Sequence, residues 1–117
     1  MTLTNLFRRL FKNKEKETGI KYSKVIIVQS LTDVPKDPGS NIYIIRNNNY
    51  DKWVAFKCPN NCGARIEVNL MKTKYPYWKL KIRKNKISLS PSIDAKDCGA
   101  HFWLEDNKVL WAKYAGD

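Results

Sequence analysis

From Val25 onward the apolar residues recur at every second position or gather in short β-branched runs, and this period leaves little choice of fold class. Val25-Ile26-Ile27-Val28, Ile42-Tyr43-Ile44-Ile45 and Trp53-Val54-Ala55-Phe56 are such runs. Ile66, Val68 and Leu70 alternate with Arg65, Glu67 and Asn69, and Trp78, Leu80 and Ile82 alternate with Lys79, Lys81 and Arg83. Each alternating segment predicts a strand with one dry and one wet face. Ile87-Ser88-Leu89-Ser90 carries the pattern to Pro91, whose missing N–H predicts the end of central pairing. Phe102-Trp103-Leu104 and Val109-Leu110-Trp111, joined across Glu105-Asp106-Asn107-Lys108, read as a hairpin. Pro35, Pro38 and Gly39 enforce turns between the first two runs, and Asn47-Asn48-Asn49 marks another. The expected fold is mostly β, a small antiparallel sheet or sandwich of about seven or eight short strands.

The period is different before Val25. Leu3, Leu6, Phe7, Leu10 and Phe11 fall on one helix face, and Arg8, Arg9, Lys12 and Lys14 occupy the others. This predicts an amphipathic helix over Met1–Lys16, which either packs its stripe on its own domain or lies on an anionic membrane or in an acidic groove. The charged segment Glu15–Ser23, with Gly19 inside it, reads as a linker. The expected organisation is therefore a basic helix and linker over 1–23 and a β domain over 24–117. A chain of 117 residues has room for one domain.

Lys and Arg number 22 against 11 for Asp and Glu, and a net charge of +11 predicts an acidic partner: nucleic acid, an anionic membrane or an acidic protein. No acidic residue lies between Glu67 and Asp94, whereas Lys72, Lys74, Lys79, Lys81, Arg83, Lys84 and Lys86 are all basic. Together with Tyr75, Tyr77 and Trp78 this stretch is either a surface for single-stranded nucleic acid or a solvated lysine-rich face with Trp78 turned inward. No apolar run approaches the ~20 residues of a transmembrane span, and none near Met1 resembles a secretory signal. The expected compartment is the cytoplasm.

All three cysteines and the only histidine lie in two short turns. Cys58-Pro59-Asn60-Asn61-Cys62-Gly63 and Cys98-Gly99-Ala100-His101 each bracket glycine, and an odd cysteine count in a reducing compartment argues against a disulfide framework. Zn²⁺ takes thiolate and imidazole ligands in fours, so the expected site is a structural Zn²⁺ held by Cys58, Cys62, Cys98 and His101. Just upstream, Ser88-Leu89-Ser90-Pro91-Ser92-Ile93 concentrates three hydroxyls. A serine becomes a nucleophile only beside a base, and the sole imidazole is His101. Ligand and base are competing roles for that one ring.

The order of these segments carries a resemblance. Cys58-Pro59-x-x-Cys62-Gly63, Trp78-Lys79-Leu80, Ser88-Leu89-Ser90-Pro91-Ser92-Ile93, Cys98-x-x-His101-Phe102-Trp103 and Val109-x-Trp111, taken in sequence over roughly Val25–Ala112, resemble the bacterial BubE family. Members are often encoded beside ubiquitin-like proteins and E1-like and E2-like enzymes, so the resemblance implies a peptidase-like, deubiquitinase-like partner of that pathway built on a zinc-bound β domain. It implies Ser92 as nucleophile, with Ser90 the alternative, and His101 as base or ligand. The chain departs from the family at Asn60, where many members carry a further cysteine, and this favours His101 as the fourth ligand. Two function classes follow. One is a zinc-stabilised serine-type hydrolase acting on a ubiquitin-like protein; the other is a non-catalytic zinc β module whose basic face binds an acidic protein or nucleic acid.

Overall fold

The computed structural model describes residues 15–95 and 98–112. Among these residues nine strands make up almost all of the regular structure: β1 (Glu15–Lys21), β2 (Val25–Val28), β3 (Ile42–Asn47), β4 (Tyr50–Lys57), β5 (Arg65–Asn69), β6 (Lys79–Arg83), β7 (Lys86–Ala95), β8 (Ala100–Glu105) and β9 (Lys108–Ala112). A short 3₁₀ turn at Leu31–Asp33 interrupts the crossover from β2 to β3, with Ser30 and Asp33 capping each other. One sheet runs β1-β9-β8-β7-β6 and the other β2-β3-β4-β5. All pairings are antiparallel apart from β2 with β3, which the long crossover makes parallel.

The two sheets pack face to face. Ile42, Ile44, Val54, Phe56 and Val68 from one and Ile87, Leu89, Ile93, Phe102, Leu104 and Val109 from the other form one buried cluster. These are the apolar phases of the alternation, so the period of the sequence decides which half of each strand is dry. β3 is buried on both faces, because Tyr43 and Ile45 turn outward into a second small cluster with Val34 and Ala55. At the centre of the main cluster Phe56 and Phe102 meet edge to face, 6.2 Å between centroids, and Phe102 meets Trp111 at 6.1 Å.

Three hairpins close on two-residue turns, Asn48-Asn49, Lys84-Asn85 and Asp106-Asn107, with positive φ at every position. That geometry matches the right-handed twist of the strands, and asparagine accepts it readily. Asn107 is buried as well, and its side-chain oxygen accepts the Ile87 N–H at 2.8 Å, tying the last hairpin to the start of β7.

Two expectations meet the structure differently. Glu15–Lys21, read as linker from its charge, is strand β1, which pairs antiparallel with β9 and shifts register between Glu17 and Lys21. An edge strand draws its stability from a neighbour's backbone, which charged side chains do not oppose. The helix expected over Met1–Lys16 lies outside the described residues except for Glu15 and Lys16, which open β1. No helix among the described residues is long and apolar enough to cross a membrane.

Candidate active site

β7 does not stop at Pro91. Its pairing with β6 ends at Ser90, opposite Lys79, but the strand continues to Ala95 against β8. Between Leu89, opposite Leu104, and Ile93, opposite Phe102, β7 carries more residues than its partner, so the ladder bulges at Ser90-Pro91-Ser92. Proline's missing N–H costs nothing where the ladder is already interrupted. The extra residues restore the alternation afterwards. Ile93 turns into the core opposite Phe102, while Ser92, Asp94 and His101 face outward.

This bulge brings together two of the residues singled out by sequence. Ser92 Oγ lies 2.9 Å from His101 Nε2, while His101 Nδ1 is buried. In the tautomer protonated at Nδ1, Nε2 accepts from the hydroxyl, the arrangement a general base requires of its nucleophile. Asp94 stands directly across the ladder from His101, exposed on the same face. Ser90, the alternative nucleophile, is exposed opposite Lys79.

Of the two expectations for Trp78, a base-stacking surface residue or one turned inward, the structure shows the second. The residue packs against the core cluster just before β6, and its indole Nε1 donates to the carbonyl of Ser92 at 3.2 Å. That bond fixes the backbone of the bulge on the side away from β8. Replacing Trp78 by Phe keeps a ring against the core and removes the donor. The expected result is a loss of about 1 kcal/mol or more of stability, measured by denaturant unfolding.

At the end of the sandwich nearest this site the two cysteine turns face each other. Cys58 is buried, and the sulfurs of Cys58, Cys62 and Cys98 all lie within 4.8 Å of one another. Cys62 and Cys98 form a disulfide with Cα atoms 6.4 Å apart, where the odd cysteine count argued against one. The reason is geometric: turns separated by 36 residues in sequence converge at one end of the sandwich within bridging distance. Asn60 adds a second tie, its side-chain amide donating to the Cys98 carbonyl. Gly99 holds φ at +70° with open space around it, so backbone conformation and not crowding calls for glycine in the turn that leads to His101. Beside Cys58, the Tyr22 hydroxyl donates to the Lys57 carbonyl at 2.6 Å, and burial, with a smaller contribution from Cys58, pushes its pKa up.

Among the described residues, the side chains that converge as potential metal ligands are these three cysteines; His101 is placed with Ser92. A metal-binding cysteine is a thiolate, so the cluster fits a thiophilic divalent ion when the Cys62–Cys98 bond is reduced.

The family model described as bacterial ubiquitination-like system serine protease (BubE) matches residues 28–112, most of the chain and all of this site. The chain belongs to the BubE family. No curated protein and no solved structure matches it. The BubE description names a serine protease, and within the matched range a serine hydroxyl is hydrogen-bonded to the chain's only histidine. It also places the family in a bacterial ubiquitination-like system.

Proposed function

We propose that the protein is a serine hydrolase that cleaves a peptide, isopeptide or ester bond at the C-terminus of a ubiquitin-like protein, with Ser92 as nucleophile and His101 as general base. The observation that carries this reading is the 2.9 Å contact between Ser92 Oγ and His101 Nε2, part-buried on the side of β7 and β8 that faces away from the core. His101 takes the hydroxyl proton as Oγ attacks the scissile carbonyl carbon, and the tetrahedral intermediate forms. On its collapse the leaving amine or alcohol departs with that proton, and an acyl group remains on Ser92. Water then repeats the sequence, its proton passing to Nε2 and on to Ser92, and the carboxylic acid is released. Ubiquitin-like proteins and their E1-like and E2-like enzymes are the partners this reading calls for.

The test is a ubiquitin-like protein carrying a short C-terminal extension, incubated with the purified enzyme and followed by mass spectrometry. Release of the extension, together with labelling of Ser92 by a fluorophosphonate, supports the assignment. Failure of both would leave a non-catalytic β module.

Zinc belongs to the same proposal in a structural role. Cys58, Cys62 and Cys98 would hold it in the reduced protein, and it would cross-link the two turns in place of the disulfide. Protein purified with a reductant should carry about one zinc per chain, and a strong chelator should lower its melting temperature. No metal by elemental analysis, with melting unchanged by chelator, would remove zinc from the account and leave the disulfide as the tie.

A further inference from the structure

We infer that the open half of β7, Ser92–Ala95, is a one-strand-wide docking lane that binds an extended peptide tail by β-strand addition and delivers its scissile carbonyl to Ser92. This rests on the serine-hydrolase reading above and names how the substrate is held. β6 pairs with β7 only as far as Ser90, so beyond that point, among the described residues, β7 has a sheet neighbour, β8, on one side alone. The indole of Trp78 reaches the Ser92 carbonyl from the β6 side, so Ser92 turns its backbone polar groups away from β8. In an extended strand N–H and C=O of one residue point the same way and alternate residues agree. The backbone N–H and C=O of Asp94 therefore face the open lane, and the Ser92 N–H faces it beside the nucleophile.

The lane selects its occupant by shape. It spans about four residues, some 13 Å at ~3.3 Å per residue, and it stops at Trp78, a length that suits a short extended chain. Added strands take their affinity from main-chain hydrogen bonds, which suits a tail with little side-chain identity. Trp78 also borders an open groove of about 460 Å³ lined with Tyr50, Asp51, Leu70, Lys72, Lys79 and Leu80, in which Asp51 is paired with Arg46. Trp78 touches both the lane's end and this groove, so in this proposal the leaving side of the chain runs past Trp78 toward it, where Lys72 and Lys79 favour acidic groups because Arg46 already pairs with Asp51.

The probes are peptidyl diphenyl phosphonates that label Ser92. They run from one to four residues, and the four-residue set includes members N-methylated at each amide in turn. A bare fluorophosphonate serves as the control for the nucleophile. Labelling is expected to accelerate at least about tenfold from one to four residues, and methylation of alternate amides, those turned toward β7, should return it to the short-probe rate. Methylation of the other amides should change it little. Labelling by the bare fluorophosphonate with no dependence on length or methylation would overturn the lane and spare the nucleophile. No labelling by any probe would overturn the serine reading and the lane with it.

Discussion

A Ser92→Ala protein is expected to lose at least about 10³-fold in the rate at which it removes a C-terminal extension from a ubiquitin-like protein, while its melting temperature stays within a few degrees of the parent. The Oγ atom is hydrogen-bonded to His101 Nε2 on the outer face of the sheet, so its removal takes away the nucleophile without opening a cavity in the core. His101→Ala should be as severe, and the double variant no worse than either single one, because a nucleophile without its base and a base without its nucleophile fail at the same step. Zinc content of the His101→Ala protein separates the roles further: metal retained marks a base, and metal lost marks a ligand. An undiminished rate in Ser92→Ala would move the nucleophile elsewhere and remove the mechanism proposed here.

The largest expected effect on stability lies one residue from the site. Phe102 is fully buried, stacks edge to face on Phe56 and Trp111, and adjoins His101 on β8. Phe102→Ala should cost about 3–5 kcal/mol, since truncation loses both the transfer energy of the ring and the contacts around the space it leaves. In a domain whose whole stability is on the order of 5–15 kcal/mol, this lowers the melting temperature by more than about 12 °C. Thermal unfolding followed by circular dichroism checks it. A shift of a few degrees would mean that Phe56 and Trp111 collapse into the gap and that the centre of the sandwich is softer than its packing indicates.

How far the structure is legible in the sequence depends on which force set each element. Where burial of one face decided a strand, alternation gave it away: Ile66-Val68 in β5, Ile87-Leu89 in β7 and Phe102-Leu104 in β8 all turn inward as their period requires. Asp106-Asn107 closes a hairpin where a hairpin was expected. β1 is different, because Glu15–Lys21 has no apolar phase and its partner β9 lies almost a full chain length away. Pro91 was read for what it lacks, an N–H, and the bulge that makes that lack harmless depends on register against β8. The four side chains proposed as zinc ligands were gathered from spacing, which places turns in sequence and says nothing of which turns meet; the structure assembles the three sulfurs and sets His101 with Ser92. The indole bond from Trp78 to the Ser92 carbonyl had no local signal, since it joins residues 14 positions apart in the sequence.

One feature of β7 and β8 bears on how such a protein changes over time. Ile93 and Phe102 point into the core, and their immediate neighbours Ser92, Asp94, His101 and Trp103 point away from it. Selection for a stable fold and selection for chemistry thus act on interleaved but separate positions of the same hairpin. Asp94 and Trp103 can be replaced while the hydrocarbon beneath them, Ile93 and Phe102, is untouched. A lineage built this way can remodel its outward surface without first passing through poorly folded ancestors.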